Sequence, residues 1–85
     1  MKKVYDLYEK CSDWLNGDDT HTPKEIIESA IDILADINNK ELSSLWQKCV
    51  VHINNWEEFS LDEQICRAEM IMEELCGYLG EYLES

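Results

Sequence analysis

The chain has 85 residues, with seven Lys and Arg against nineteen Asp and Glu, for a formal net charge of -12. That length admits one domain, spanning 1–85, with a modest core, since domains commonly hold about 100–150 residues. A hydrophobic content of 45% with three Trp is too high for a disordered acidic tail, and a polyanion is repelled by DNA, RNA and anionic membranes, which leaves a basic protein surface as the expected partner.

Met1-Lys2-Lys3 is followed by no apolar run of signal-peptide length, and the longest apolar stretch, 26–37, is broken by Glu28, Asp32 and Asp36. A cytoplasmic setting is expected. The first predicted helix covers 3–15, where Val4, Leu7, Tyr8, Cys11, Trp14 and Leu15 fall on one arc at about 100° per residue. Asn16-Gly17 suits a left-handed cap after it. Thr22-Pro23-Lys24-Glu25 then restarts the chain with an N-cap, a proline at the first helical position and a glutamate at the third.

The second predicted helix covers 23–37. Ile26, Ala30, Ile33 and Ile37 form a stripe that Ile27, Ile31 and Leu34 widen to nearly half the cylinder, which implies contact with two neighbours. Asn38 is the expected cap of the third helix, placing Glu41 at the third helical position. That helix is read as continuous over 40–58, since Leu42, Leu45, Trp46, Cys49, Ile53 and Trp56 keep steps of three and four through Asn54-Asn55. Ser60 caps the fourth, 61–83, the longest. Its seam of Leu61, Ile65, Ala68, Met72, Leu75, Leu79 and Tyr82 alternates steps of four and three. Short links make antiparallel neighbours, so the expected fold is an all-α, single-domain up-down bundle of about four helices.

Cys11, Cys49 and Cys76 lie on apolar arcs, where a free thiol behaves as a small hydrophobe, and a reducing compartment argues against disulfides. Cys66 lies off them. Cys49-x-x-His52 has the spacing of half a zinc site, but no second pair completes it. Neither His21 nor His52 follows a Glu by three residues, as a di-iron site needs, and Asp13 to Asp19 lacks the EF-hand ligand pattern. With no phosphate loop, nucleophile elbow or Cys-x-x-Cys, the expectation is a non-enzyme without metal or cofactor.

The charge is uneven. Residues 57–85 hold nine acids against Arg67 alone, a net charge of -8. Asp62 and Glu63 suit a helix start, but Glu81 and Glu84 oppose the dipole at its end, and Glu69 and Glu73 repel across one turn. Local helix energetics therefore do not explain the distribution. The face opposite the seam carries Cys66, Met70 and Gly77 in a narrow strip between carboxylates, the plan of an interface with an apolar centre and a polar edge. A solvated charged face is the competing explanation. Trp56, beside Glu57 and Glu58, is either a closing core residue or an exposed anchor.

In size and acidity, over the whole chain, the sequence resembles small intracellular antagonists of nucleic-acid-acting proteins: bacteriocin-nuclease immunity proteins and phage-encoded inhibitors, anti-CRISPR proteins among them. The resemblance implies a stoichiometric inhibitor that covers a basic surface of a nuclease or other nucleic-acid-binding protein by presenting carboxylates in place of phosphates. The residues expected to bind are Asp62, Glu69, Glu73, Glu74, Glu81 and Glu84, with Met70 and Trp56 as apolar anchors. The alternative is a helical adaptor or oligomerisation module that pairs through Cys66, Met70 and Gly77.

Overall fold

Capping chemistry frames the fold. The computed structural model describes residues 2–84 and places α1 at Lys2–Leu15, α2 at Pro23–Leu34, α3 at Lys40–Asn54 and α4 at Leu61–Glu84, with a single 3-10 turn at Trp56–Glu58. After α1 the backbone reverses through Gly17 at φ +102°, a conformation that a side chain would strain. At α2 the Glu25 N–H donates to Thr22 Oγ1 at 3.2 Å, while the Thr22 N–H reaches back to Glu25 Oε1 at 3.5 Å, so the predicted capping box forms in full.

Two helix ends differ from the sequence expectation. α2 stops at Leu34 rather than 37, because the Asp36 and Ile37 N–H groups bond three residues back, to Ile33 and Leu34, and tighten the chain out of the α-helix. The link to α3 is therefore five residues long, and Asn39, not Asn38, is the cap: its Oδ1 accepts from the Leu42 N–H at 3.1 Å. α3 stops at Asn54 rather than running to 58. Both the backbone N–H and the Nδ2 of Asn55 donate to the Val51 carbonyl, at 3.1 and 2.9 Å, and the chain leaves the helix into the 3-10 turn. Gln64 Nε2 then donates to the carbonyls of Trp56 and Phe59, at 2.7 and 3.3 Å, pinning this turn to α4. The Glu63 N–H donates to Ser60 Oγ at 3.3 Å, as the third predicted cap requires.

The four helices form an up-down bundle around one core that draws on all of them, with Leu7, Ile27, Leu42 and Leu75 each removed from solvent. α1 packs on α4, α4 on α3, α3 on α2 and α2 on α1, and α2 also touches α4 across the diagonal. The wide apolar arc of α2 thus serves three neighbours, one more than its width implied. Trp46 of α3 donates its Nε1–H to the Ile31 carbonyl of α2 at 3.1 Å, which satisfies a half-buried indole. The 24 residues of α4 span about 36 Å at 1.5 Å each, close to the 37 Å longest dimension of the molecule.

The seam of α4 begins later than its heptad pattern suggests. Leu61 is 71% exposed and Ile65 42%, whereas Ala68, Ile71, Met72, Leu75 and Leu79 are buried. Gly80 faces the Tyr8 ring of α1, which lies 3.6 Å from its Cβ position, and Cys76 pairs with Cys11, so these contacts of α1 fall on the second half of α4.

Candidate interaction face

α4 turns one long side to solvent. Asp62, Glu69, Glu73, Glu81 and Glu84 are all exposed there, and Cys66, Met70 and Gly77 lie among them, also exposed. The predicted strip within a carboxylate rim therefore exists as a surface. Glu74 stands apart from the other predicted acids: it is half-buried and accepts both 2.9 and 3.2 Å hydrogen bonds from Lys48 Nζ, across from α3. This contact holds the Lys48 ammonium above the usual lysine range. Trp56 is half-buried, its ring set edge-on to the buried His52 at 5.0 Å.

Among the described residues, nothing outside the local backbone of α4 and the two flanking residues lies within 4 Å of the Cβ position at Gly77. Gly77→Ala is therefore expected to stabilise the free protein by about 0.5–1 kcal/mol through helix propensity alone, read as a rise in the thermal midpoint. A substitution that raises the midpoint and yet weakens a complex would mark Gly77 as a place where a partner's backbone comes close.

Sequence reasoning missed the groove beside this face. Between α3 and α4 runs an open groove of about 560 Å³. Its walls are largely apolar: Val51 from α3, Met70 and Ile71 from α4, and Phe59 at one end. Val51 is 59% and Met70 65% exposed. Val51 stands off the apolar stripe of α3, and a β-branched side chain on the solvent side of a helix was the one signal in the sequence. Arg67 sits over the Phe59 ring, its guanidinium carbon 4.4 Å from the centroid, with Nε 3.9 Å from Glu63 Oε2. Contacts of that kind at exposed sites contribute about 0.5–1 kcal/mol.

His52 lines the same groove and is itself only 4% exposed. It stacks on Phe59 at 5.6 Å, and its Nε2 has no hydrogen-bond partner among the described residues. An unsatisfied buried nitrogen costs roughly 1–3 kcal/mol. Burial, with Arg67 adding to it, holds the imidazole pKa below the ordinary 6.5, against a smaller opposing effect of the Gln64 backbone. The folded state therefore binds the His52 proton more weakly than the unfolded chain does. Stability contributed by the neutral ring is complete above about pH 6.5 and is lost as the pH falls toward the depressed folded value. His52→Phe should remove that dependence: the stability of wild type minus variant, from urea unfolding at pH 7.5 and 5.5, is expected to fall on acidification. An unchanged difference would contradict it.

The remaining titratable groups of the interior are thiols. Cys49 is pushed up to about 12, chiefly by burial. Cys11 of α1 and Cys76 of α4 hydrogen-bond to each other, which raises the buried Cys11 and lowers the more accessible Cys76. No disulfide and no group of three His, Cys, Asp or Glu arranged to hold a metal occurs among the described residues. No helix of the described residues is long and apolar enough to cross a membrane.

Fold and surface together define an all-α four-helix bundle whose longest helix exposes an acidic side next to an apolar groove. Comparison with known protein families, curated proteins and solved structures finds no match to this chain.

Proposed function

We propose that this protein is a small, non-enzymatic antagonist that binds a basic surface of a partner, one that itself handles nucleic acid, such as a nuclease, in the reducing cytoplasm. The carboxylates of α4 take the place of phosphates, in the manner of immunity proteins and phage-encoded inhibitors including anti-CRISPR proteins. The observation that supports this reading is the placement of the charge: nine acids against one arginine in 57–85, with Asp62, Glu69, Glu73, Glu81 and Glu84 exposed along one helix where capping and dipole effects do not call for most of them. Carboxylates three and four residues apart stand about 5–6 Å from each other at Cβ, a spacing that successive Arg and Lys side chains of a partner can meet.

The test is capture from native lysate at low and high salt, followed by competition. The complex is expected to weaken steeply as the screening length drops from about 10 Å at 0.1 M to about 3 Å at 1 M, and the captured partner is expected to lose its nucleic acid as the chain is added, at one equivalent. A partner that keeps its nucleic acid in the complex contradicts the proposal. The adaptor reading, pairing through Cys66, Met70 and Gly77, draws on the exposure of Met70 and the open space at Gly77. It predicts a complex indifferent to salt and broken by Met70→Glu.

A further inference from the structure

We infer that the α3–α4 groove seats a basic amphipathic helix of the partner, apolar side chains inward, while the partner's Arg and Lys side chains meet the α4 carboxylates alongside. This rests on the acidic-face reading above and specifies how the partner docks.

Met70 joins the two surfaces, since it belongs both to the carboxylate-rimmed strip of α4 and to the wall of the groove. Across from it Val51 is equally open, so the groove presents apolar side chains from both helices to solvent. Ser44 to His52 mark its length along α3, nine residues or about 12 Å in eight steps of 1.5 Å. That is two turns of a docked helix, enough for apolar side chains at i, i+3 or i+4, and i+7. On α4 the exposed Glu63 and Glu81 lie on the groove side of the helix and continue its line beyond both ends.

Charge decides between a basic and an anionic occupant. The two cations of the groove are already engaged, Lys48 by Glu74 and Arg67 by Glu63 and Phe59, and the Glu74 carboxylate lies in the groove itself. The charges inside the groove thus pair among themselves and leave its apolar walls as the seat, while the acids that meet a basic helix stand outside the lining, at the exposed Glu69, Glu73, Glu81 and Glu84 of α4.

The probe is a fluorescent helical peptide of 16 residues with leucines at i, i+3, i+7 and arginines on the other face. It is compared with a peptide of the same composition whose leucines are scattered around the helix, and with one whose arginines are glutamines. Affinity is read by anisotropy and the site by amide and His52 ring shifts of the full chain. The amphipathic basic peptide is expected to bind at least tenfold tighter than either control and to shift Val51, His52 and Met70. Val51→Ser and Met70→Ser, both at exposed positions, are each expected to weaken it at least fivefold, while Tyr5→Ser, at an exposed apolar site elsewhere, leaves it unchanged.

Equal binding of the scattered peptide overturns the inference, as does equal binding of the glutamine peptide. If Glu69→Lys/Glu73→Lys weakens binding and the groove variants do not, the groove proposal fails and the acidic-face reading stands. If only the groove variants weaken it, both fail. Concentration-dependent shifts of Val51 and Met70 in the free protein would identify the occupant as a second copy of the chain and overturn the proposal as well.

Discussion

If α4 binds a basic partner as proposed, Glu73→Lys/Glu84→Lys is expected to weaken that complex about 100-fold at 0.1 M salt, while the free protein becomes more stable. Each reversal turns an attraction into a repulsion, and a loss of about 1.4 kcal/mol per site is tenfold in affinity. The gain in stability comes from the same two side chains. A cation at position 73 would convert the one-turn repulsion with Glu69 into an attraction of about 0.2–0.5 kcal/mol. A cation at position 84, in the last turn of α4, would favour the helix dipole by about 0.3–1 kcal/mol where glutamate opposes it. Together these raise the thermal midpoint by several degrees, since about 1 kcal/mol shifts a domain of this size by about 4–8 °C. The opposite signs are the informative part. A surface evolved only for solubility has no reason to keep charges that strain its own helix, whereas a binding surface does. A variant that stays folded and still binds at full strength would remove the reading.

The acidic side of α4 was legible because exposure on a regular helix follows from angular position alone, and Asp62, Glu69, Glu73, Glu81 and Glu84 all emerge where a 3.6-residue period places them. The start of α2 was legible for a similar reason: Thr22, Pro23 and Glu25 interact within four residues, so no tertiary knowledge is needed. The ends of α2 and α3 were not. Ile37 still packs on the core, and Trp56 still contacts the buried His52, after the helices have tightened into shorter-range turns, so the apolar period continues past the point where the hydrogen-bond ladder stops. Side-chain direction and backbone bonding are separate properties, and a hydrophobic pattern reports only the first.

The groove was hidden for a different reason. Lys48 and Glu74 are 26 residues apart, and the stack of Arg67, Phe59 and His52 exists only once the 3-10 turn brings Phe59 between α3 and α4. Nothing in the local pattern of either helix encodes that meeting. The pairing of Cys11 with Cys76 is of the same kind: their faces were legible, their register was not.

Leu75→Ala is expected to destabilise the protein by about 2–5 kcal/mol, the range for a leucine deleted from a closed core, whereas Leu61→Ala should change stability by about 0.5 kcal/mol or less, as exposed substitutions do. The heptad pattern treats the two leucines as equivalent members of one seam. In the structure Leu75 has no exposed surface and lies in the core shared by all four helices, while Leu61, in the first turn of α4, is 71% exposed. Against a total stability of about 5–15 kcal/mol, the first change removes a large share and the second almost none. Urea unfolding of the two variants beside wild type measures the difference directly. Equal losses would mean that the first turns of α4 are packed in solution, which would require a surface outside the four-helix bundle to cover Leu61 and Ile65. A large loss at Leu75 with none at Leu61 instead assigns the start of α4 no part in the core and leaves its leucine and isoleucine open to solvent.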